Sequence, residues 1–191
     1  MADDALGSQT EVEMVAVDCV TPSMARVKIY LRSQETSWEC LCRIDHDGQI
    51  KVSQRASENM RLLWQLVLSL EHDFSTAQQL PTSHRSEAGT FYCFYARPGD
   101  AVLRCKLYIP AKYYGLNDEA IGQGLEQYFQ KRGQDQFVDR YWNVLEGMGS
   151  YRPLNNGCGI HTYISCEPKG DDISVTSYFS PEIYYPTRKE G

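Results

Sequence analysis

The sequence lacks the features of a secreted, membrane-spanning or strongly basic protein. Its first residues, MADDALGSQTEVE, have neither the basic start nor the apolar core of a secretory signal. No apolar run approaches the roughly 18 residues that a membrane span needs. The net charge is −6, which argues against broad binding of nucleic acids or anionic membranes. These absences predict a cytoplasmic protein in which any anion site must be a local cluster of cations.

The sequence also lacks a disulfide framework and a clear metal motif. Its seven cysteines are an odd number and lie scattered through apolar segments, which is typical of reduced thiols. Cys40, Cys42 and His46 carry metal-ligand groups, but a C-x-C in a helical pattern spreads its side chains, and no second ligand pair follows. We therefore expect neither a metal nor a cofactor.

The apolar pattern alternates between pairs of strands and pairs of helices. Short apolar runs and period-two alternation predict strands, whereas apolar spacing of three to four residues predicts helices. Candidate N-caps are Thr36 or Ser37, Ser57 and Asn117. The predicted strands are 13–20, 25–33, 90–96, 101–111, 160–168 and 173–179, and the predicted helices are 36–44, 57–73, 117–133 and 134–148.

This order predicts one α+β domain with an antiparallel sheet. The strand and helix pairs recur at a spacing of roughly 75 residues, as in architectures whose units stack side by side. Hairpins separated by two helices favour antiparallel strands, because parallel neighbours are joined by a crossover. Residues 1–12 are predicted to be a disordered tail and residues 13–191 to be the domain.

One motif, Arg-x-Lys-x-Tyr, occurs twice, as RVKIY at 26–30 and as RCKLY at 104–108. Each copy lies on the second strand of a predicted hairpin, where alternate side chains share a face. The two cations and the phenol therefore point one way, and the residues between them point toward the helices. In a chain that is acidic overall, these faces carry Arg, Lys and Tyr rather than a mixture with Asp and Glu.

Two interpretations of the polar faces remain open. An antiparallel sheet ordinarily exposes one face to solvent, which makes the motif a solvated surface. A sheet closed into a barrel instead gathers these groups around a polar lumen that binds an anion. His161, Tyr163 and Ser165 also share a predicted face, as do Ser174, Thr176 and Tyr178.

An anion bound beside aromatic rings that can stabilise a cation suits allyl diphosphate chemistry. Most such enzymes hold the diphosphate through Mg²⁺ on a D-D-x-x-D motif. In this chain, Asp171 and Asp172 are followed by ISV, which does not complete the motif. Protein cations would therefore do the electrostatic work of the metal.

At this point the sequence resembles a known family. The blocks VDCVTPSMARVKIYL, RCKLYIPAKYYGLND and IHTYISCEP…DDISVTSYFSPEIY are similar, in order, to the C-terminal half of fungal indole prenyltransferases, the dimethylallyltryptophan synthase family. The resemblance covers the chain from about Val15 onward. It implies a prenyltransferase barrel of αββα repeats with ten strands inside a ring of helices, of which this chain holds a partial barrel of about six strands.

The resemblance implies a function and a set of site residues. The family transfers a dimethylallyl group from dimethylallyl diphosphate to an indole, such as tryptophan or a tryptophan-containing cyclic dipeptide, in fungal alkaloid metabolism and without Mg²⁺. Two late tyrosines of some members align with Asp172 and Thr176, and Tyr178 is the expected substitute. The residues expected to bind diphosphate and shield the cation are Arg26, Lys28, Tyr30, Lys106, Tyr108, Tyr163 and Tyr178.

Length is the main departure from the family. Members are more than twice as long, and the Glu that anchors the indole lies in their N-terminal half, so no catalytic residue is identified here. We expect a truncated prenyltransferase with little activity alone, completed by a second copy or by a separate N-terminal half. The alternative is a non-catalytic remnant or diphosphate-binding module that needs a partner for activity.

Overall fold

A computed structural model describes residues 10–46, 50, 52–81 and 88–186. The strands are β1 Thr10–Val17, β2 Val27–Ser33, β3 Thr90–Ala96, β4 Arg104–Ile109, β5 His161–Lys169 and β6 Asp172–Phe179. The helices are α1 Trp38–His46, α2 Gln54–Val67, α3 Ala111–Tyr114, α4 Asp118–Lys131 and α5 Val138–Met148, with a 3₁₀ turn at Asp135–Phe137. The described residues contain no helix that is both long enough and apolar enough to cross a membrane.

The six strands form one sheet in the order β1-β2-β3-β4-β5-β6. Neighbours follow one another along the chain, and the pairs from β1 to β4 are antiparallel. A bulge between Val12 and Met14 shifts the register of β1 against β2. The α+β class, the antiparallel pairing and the six-stranded partial barrel predicted from the sequence are confirmed.

The helix boundaries differ from the prediction where local hydrogen bonds decide them. Helix α2 begins at Gln54 because Ser53 caps it, with its hydroxyl accepting from the Ala56 N–H at 3.2 Å; Ser57 as the cap was wrong. The same helix ends at Val67, six residues early, because Ser69 adopts a φ of 53°. Asn117 caps α4 as expected, through an Ala120 N–H bond of 2.8 Å.

The predicted tail also differs from the structure. Strand β1 begins at Thr10, so residues 10–12, which were assigned to a disordered tail, pair with β2. The segment was missed because Thr10, Glu11 and Val12 include only one apolar residue and so offer little of the apolar alternation that marks a strand. Residues 1–9 lie outside the described part of the chain.

Contacts divide the chain into two compact units. The first comprises Met1–Asn59, Ser75–Ile109 and Ser165–Val175, and the second comprises Met60–Phe74, Pro110–Ile164 and Thr176–Gly191. The core of the first unit includes Trp38, Cys40, Leu41, Tyr92, Phe94 and Leu107. The core of the second includes Leu63, Trp64, Val67, Ile121, Leu125, Tyr128 and Leu145.

Within the second unit, α2 and α4 approach each other closely at Gly124. A Cβ built on Gly124 would lie 2.2 Å from the backbone oxygen of Leu66. Only glycine permits this approach, which explains one of the two glycines that interrupt the apolar pattern of α4.

The first unit leaves part of its apolar sheet surface uncovered. Val15 pairs with Ile29 and Val17 with Val27, so the four side chains share one face. They are 61%, 40%, 59% and 48% exposed, respectively. The helices were expected to cover this face. The same face is buried at Tyr92, which is 2% exposed, but not at these four residues.

Candidate functional site

The strand register of the first unit places side chains of β2, β3 and β4 in rows across one face, here called the polar face. Three rows follow one another: Lys28, Tyr95 and Arg104; Tyr30, Cys93 and Lys106; and Arg32, Phe91 and Tyr108. Val27 and Ile29 lie on the opposite face, as alternation predicts. The two Arg-x-Lys-x-Tyr motifs are thus offset by one row, so Lys28 lies level with Arg104 rather than with Lys106.

The β1–β2 hairpin gathers two cations on one carboxylate. Arg26 Nε donates to Asp18 Oδ2 at 2.6 Å, and Lys28 Nζ donates to the other oxygen, Asp18 Oδ1. These hydrogen bonds, that from Arg26 first, lower the pKa of the Asp18 carboxyl to about 2. The Arg26 guanidinium also lies over the Tyr95 ring, 5.5 Å from its centroid.

A second carboxylate lies beside Lys106. Glu167 is buried, accepts a hydrogen bond from the Tyr95 hydroxyl, and lies 3.8 Å from Lys106 Nζ. Burial, followed by this bond to Glu167, raises the pKa of Tyr95. Near Glu167, a cavity of about 380 Å³ is lined by Ile50, Val102, Leu103, Arg104, Cys105, Glu167, Pro168, Lys169 and Gly170.

Three aromatic rings pack together next to these cations. The Tyr30 and Phe91 centroids are 5.8 Å apart, those of Phe91 and Tyr108 are 5.7 Å apart, and those of Tyr30 and Tyr108 are 6.5 Å apart. Tyr30 also hydrogen-bonds the Cys93 thiol, whose pKa is raised overall by burial. An aromatic cluster beside a cationic one supplies electron-rich faces next to an anion site.

The structure changes the sequence-based view of this face in one respect. The face was expected to carry cations and phenols without acids, and that was wrong. Asp18 and Glu167 accompany the cations, and Glu13 accepts a hydrogen bond from Arg32. Asp18 lies within the predicted strand 13–20 and Glu167 within the predicted strand 160–168, but alternation along one strand does not show which cation a carboxylate meets on its neighbours.

The other two predicted residues, Tyr163 and Tyr178, belong to the second unit. Tyr163 is half-buried on β5, and Tyr178 is 36% exposed on β6. The first unit therefore brings together Arg26, Lys28, Tyr30, Lys106 and Tyr108 by itself. Tyr95, Arg104, Asp18 and Glu167 are members of the cluster that sequence reasoning missed.

His161, which was expected to share a polar face with Tyr163 and Ser165, is fully buried. Its Nδ1 lies 2.9 Å from Asp118 Oδ1 of α4, and its Nε2 lies 2.5 Å from the Tyr141 hydroxyl of α5. Asp118 also pairs with Arg152, so this buried network joins a strand to two helices. Its contacts are those of a structural core within the second unit.

Metal ligands do not gather within the described ranges. No group of three or more His, Cys, Asp or Glu side chains lies close enough there to hold an ion. Asp18 and Glu167 bond to cationic groups of the protein itself.

Comparison with known proteins places the chain in a family. Residues 1–144 match the family model described as tryptophan dimethylallyltransferase. The chain belongs to this family. The resemblance read from the sequence is thereby confirmed.

Curated relatives show the same relationship along most of the chain. A 4-O-dimethylallyl-L-tyrosine synthase of Claviceps purpurea is 35% identical over 91% of this chain and 40% of its own length. A 7-dimethylallyltryptophan synthase of Aspergillus fumigatus is 28% identical over 93% of this chain and 38% of its own length. The chain thus spans about two fifths of the curated relatives that it matches.

Solved structures share the fold. AnaPT of Neosartorya fischeri matches 92% of this chain and 41% of its own, with a TM-score of 0.73 and 18% identity. The 5-dimethylallyltryptophan synthase of Streptomyces coelicolor matches 95% of this chain and 48% of its own, with a TM-score of 0.66 and 19% identity. This likeness confirms that the sheet and its helices follow part of a prenyltransferase barrel.

Proposed function

We propose that this chain carries the diphosphate-binding wall of an aromatic prenyltransferase. The reaction transfers a dimethylallyl group from dimethylallyl diphosphate to an indole, either tryptophan or a tryptophan-containing cyclic dipeptide. The observation that supports it is the meeting of Arg26, Lys28 and Lys106 with the Tyr30, Phe91 and Tyr108 rings on one face. Family membership supplies the reaction class.

The cations of the polar face exceed its carboxylates. Among the described residues of this face, Arg26, Lys28, Arg32, Arg104 and Lys106 bring five positive charges, and Asp18, Glu167 and Glu13 bring three negative ones. The excess favours an anion with several charges, and Arg and Lys donors suit phosphate oxygens. Such charge can stabilise a departing diphosphate without Mg²⁺, which is the basis for proposing that the transfer is metal-independent.

The aromatic cluster suits the other half of the reaction. When the allylic C–O bond breaks, the pair of electrons leaves with the diphosphate, and positive charge develops on the dimethylallyl carbon. The faces of Tyr30, Phe91 and Tyr108 stabilise that charge and exclude water from it. The aromatic acceptor then forms the new bond and loses a proton. We assign Tyr163 and Tyr178 to the same shield on the resemblance alone.

The first test measures anion binding. Lys28→Met removes one charged donor, worth about 1.5–3 kcal/mol, so inorganic diphosphate should bind roughly tenfold to a hundredfold more weakly. Lys131→Met, on the exposed last turn of α4, is the matched control and should leave binding unchanged. Isothermal titration calorimetry of wild type and of both variants measures the three affinities for diphosphate. Equal affinity of wild type and Lys28→Met would show that Lys28 is a solvated ion pair.

The second test measures transfer. The chain is incubated with dimethylallyl diphosphate and tryptophan, tyrosine or a tryptophan-containing cyclic dipeptide, with and without EDTA, and the products are separated. Tyrosine is included because the relative at 35% identity is named a 4-O-dimethylallyl-L-tyrosine synthase. We expect slow hydrolysis to the alcohol and little prenylated product from this chain alone, with no effect of EDTA, since water reaches an allylic cation that is not enclosed.

The second candidate function is a non-catalytic diphosphate-binding module that acts only with a partner. The uncovered apolar face at Val15, Val17, Val27 and Ile29 favours it, because exposed apolar patches mark interaction surfaces. The partner would be a second copy of the chain or a separate polypeptide that completes the barrel. Abundant prenylated product from a monomer, with the mass measured in solution, would exclude this candidate.

A further inference from the structure

Arg26, Lys28 and Lys106 of the proposed diphosphate site each lie beside a carboxylate, and Asp18 is the carboxylate shared by two of these cations. Its oxygens divide between Arg26 Nε and Lys28 Nζ, so a single side chain bridges both donors. A phosphate group that binds the same two donors needs the same positions in space. Asp18 and the ligand therefore compete for one pair of donors.

The position of Asp18 allows this exchange. Its backbone N–H donates to the Arg26 carbonyl at 3.1 Å, which fixes the main chain at the loop end of the β1–β2 hairpin. Its side chain is 21% exposed, as is that of Lys28, and that of Arg26 is 36% exposed. Solvent and small anions thus reach the ion pair, and rotation about one side-chain bond moves the carboxylate off the cations.

We propose that Asp18 is a built-in competitor of diphosphate, which leaves the two cations when the ligand binds and returns to them when diphosphate departs. This proposal rests on the proposed function, because it assigns a role to Asp18 in the same site. Two consequences follow: Asp18 weakens diphosphate binding, and it speeds the release of the diphosphate product. Glu167, which is buried and bonded to Tyr95, is held more firmly and lacks this freedom.

The test compares inorganic diphosphate binding by wild type, Asp18→Asn and Asp18→Ala. Each substitution removes a negative charge that lies at ion-pair distance from the proposed position of the ligand. The affinity for diphosphate should therefore rise about tenfold, mainly through slower dissociation. Asp73→Asn is the control, since Asp73 is exposed and lies in the second unit. It changes net charge equally and should leave the affinity unchanged.

A double variant tests whether the gain in diphosphate affinity on removing Asp18 depends on Lys28. In Lys28→Met the competitor has lost one of its two donors, so adding Asp18→Asn should raise affinity by less than it does in wild type. Unchanged or weaker binding by both Asp18 variants overturns the proposal, and weaker binding would show that Asp18 positions the cations instead. Absence of binding by every protein overturns the proposed function itself. Thermal unfolding of each variant establishes that it is folded.

Discussion

Asp118→Asn is the substitution expected to destabilise the second unit most, because it neutralises a fully buried carboxylate. Asp118 accepts from the His161 N–H at 2.8 Å, from the Ile160 N–H at 3.1 Å and from Arg152. Burial raises its pKa, but hydrogen bonds from His161 and Arg152 outweigh burial and lower it to about 2. An amide keeps the shape but loses the charge and one acceptor.

Two estimates bound the size of the effect. The folded pKa of about 2 lies below the reference value of 3.8, and 1.36 kcal/mol per unit makes the ionised form worth about 2 kcal/mol. Removing one partner of a buried ion pair costs up to about 3–5 kcal/mol, an upper bound here because Arg152 keeps its second carboxylate partner, Glu182. We therefore expect the free energy of unfolding to fall by about 2–5 kcal/mol.

Urea unfolding at pH 7 and across acidic pH tests this expectation. Because the folded pKa is depressed, the contribution of Asp118 is fully present above pH 4 and is lost as the pH falls toward 2. Asp118→Asn should therefore be less stable at pH 7 and should lack part of this acid dependence. Asp139→Asn, exposed in the first turn of α5, is the control and should change stability by less than about 1 kcal/mol. A loss below 1 kcal/mol for Asp118→Asn would refute the reasoning.

Two further predictions concern packing, and both are measured by urea unfolding. Gly124→Ala should cost more than about 2 kcal/mol, because its Cβ would lie 2.2 Å from the Leu66 oxygen, whereas Gly147→Ala, with nothing within 4 Å, should be neutral or stabilising. Tyr92→Phe should stabilise the first unit by about 1 kcal/mol, since the Tyr92 hydroxyl is buried with no hydrogen-bond partner among the described residues. A destabilised Tyr92→Phe would mean that this hydroxyl has a partner in solution.

Strand alternation predicted the orientation of the site residues because it depends only on neighbours along the chain. Lys28, Tyr30, Lys106 and Tyr108 lie on one face for the same reason that Val27 does not. The element order and the antiparallel pairing followed similarly from the apolar pattern. These properties are local, and one sequence suffices to predict them.

The carboxylates could not be predicted because their place depends on register and on side-chain reach. Asp18 meets Arg26 across the loop end of a hairpin, and Glu167 meets Tyr95 across 72 positions of sequence. The burial of His161 was missed for a related reason: its partner Asp118 is the first residue of a helix 43 positions away. Charge balance within a site is a tertiary property, so an apparently cationic motif does not establish a cationic site.

The register also shows that two identical motifs need not have identical roles. Because β4 is offset by one row, Lys28 lies level with Tyr95 and Arg104, whereas Lys106 lies level with Cys93 and Tyr30. Lys28 shares its carboxylate with Arg26 in a solvent-accessible pair, and Lys106 lies beside a buried carboxylate that also holds Tyr95. Lys28 is therefore the cation whose partner can leave, and Lys106 is the one whose charge stays balanced. The duplicated motif thus provides two lysines whose charges are neutralised to different extents by neighbouring carboxylates. An incoming diphosphate therefore gains more binding energy from Lys28 than from Lys106.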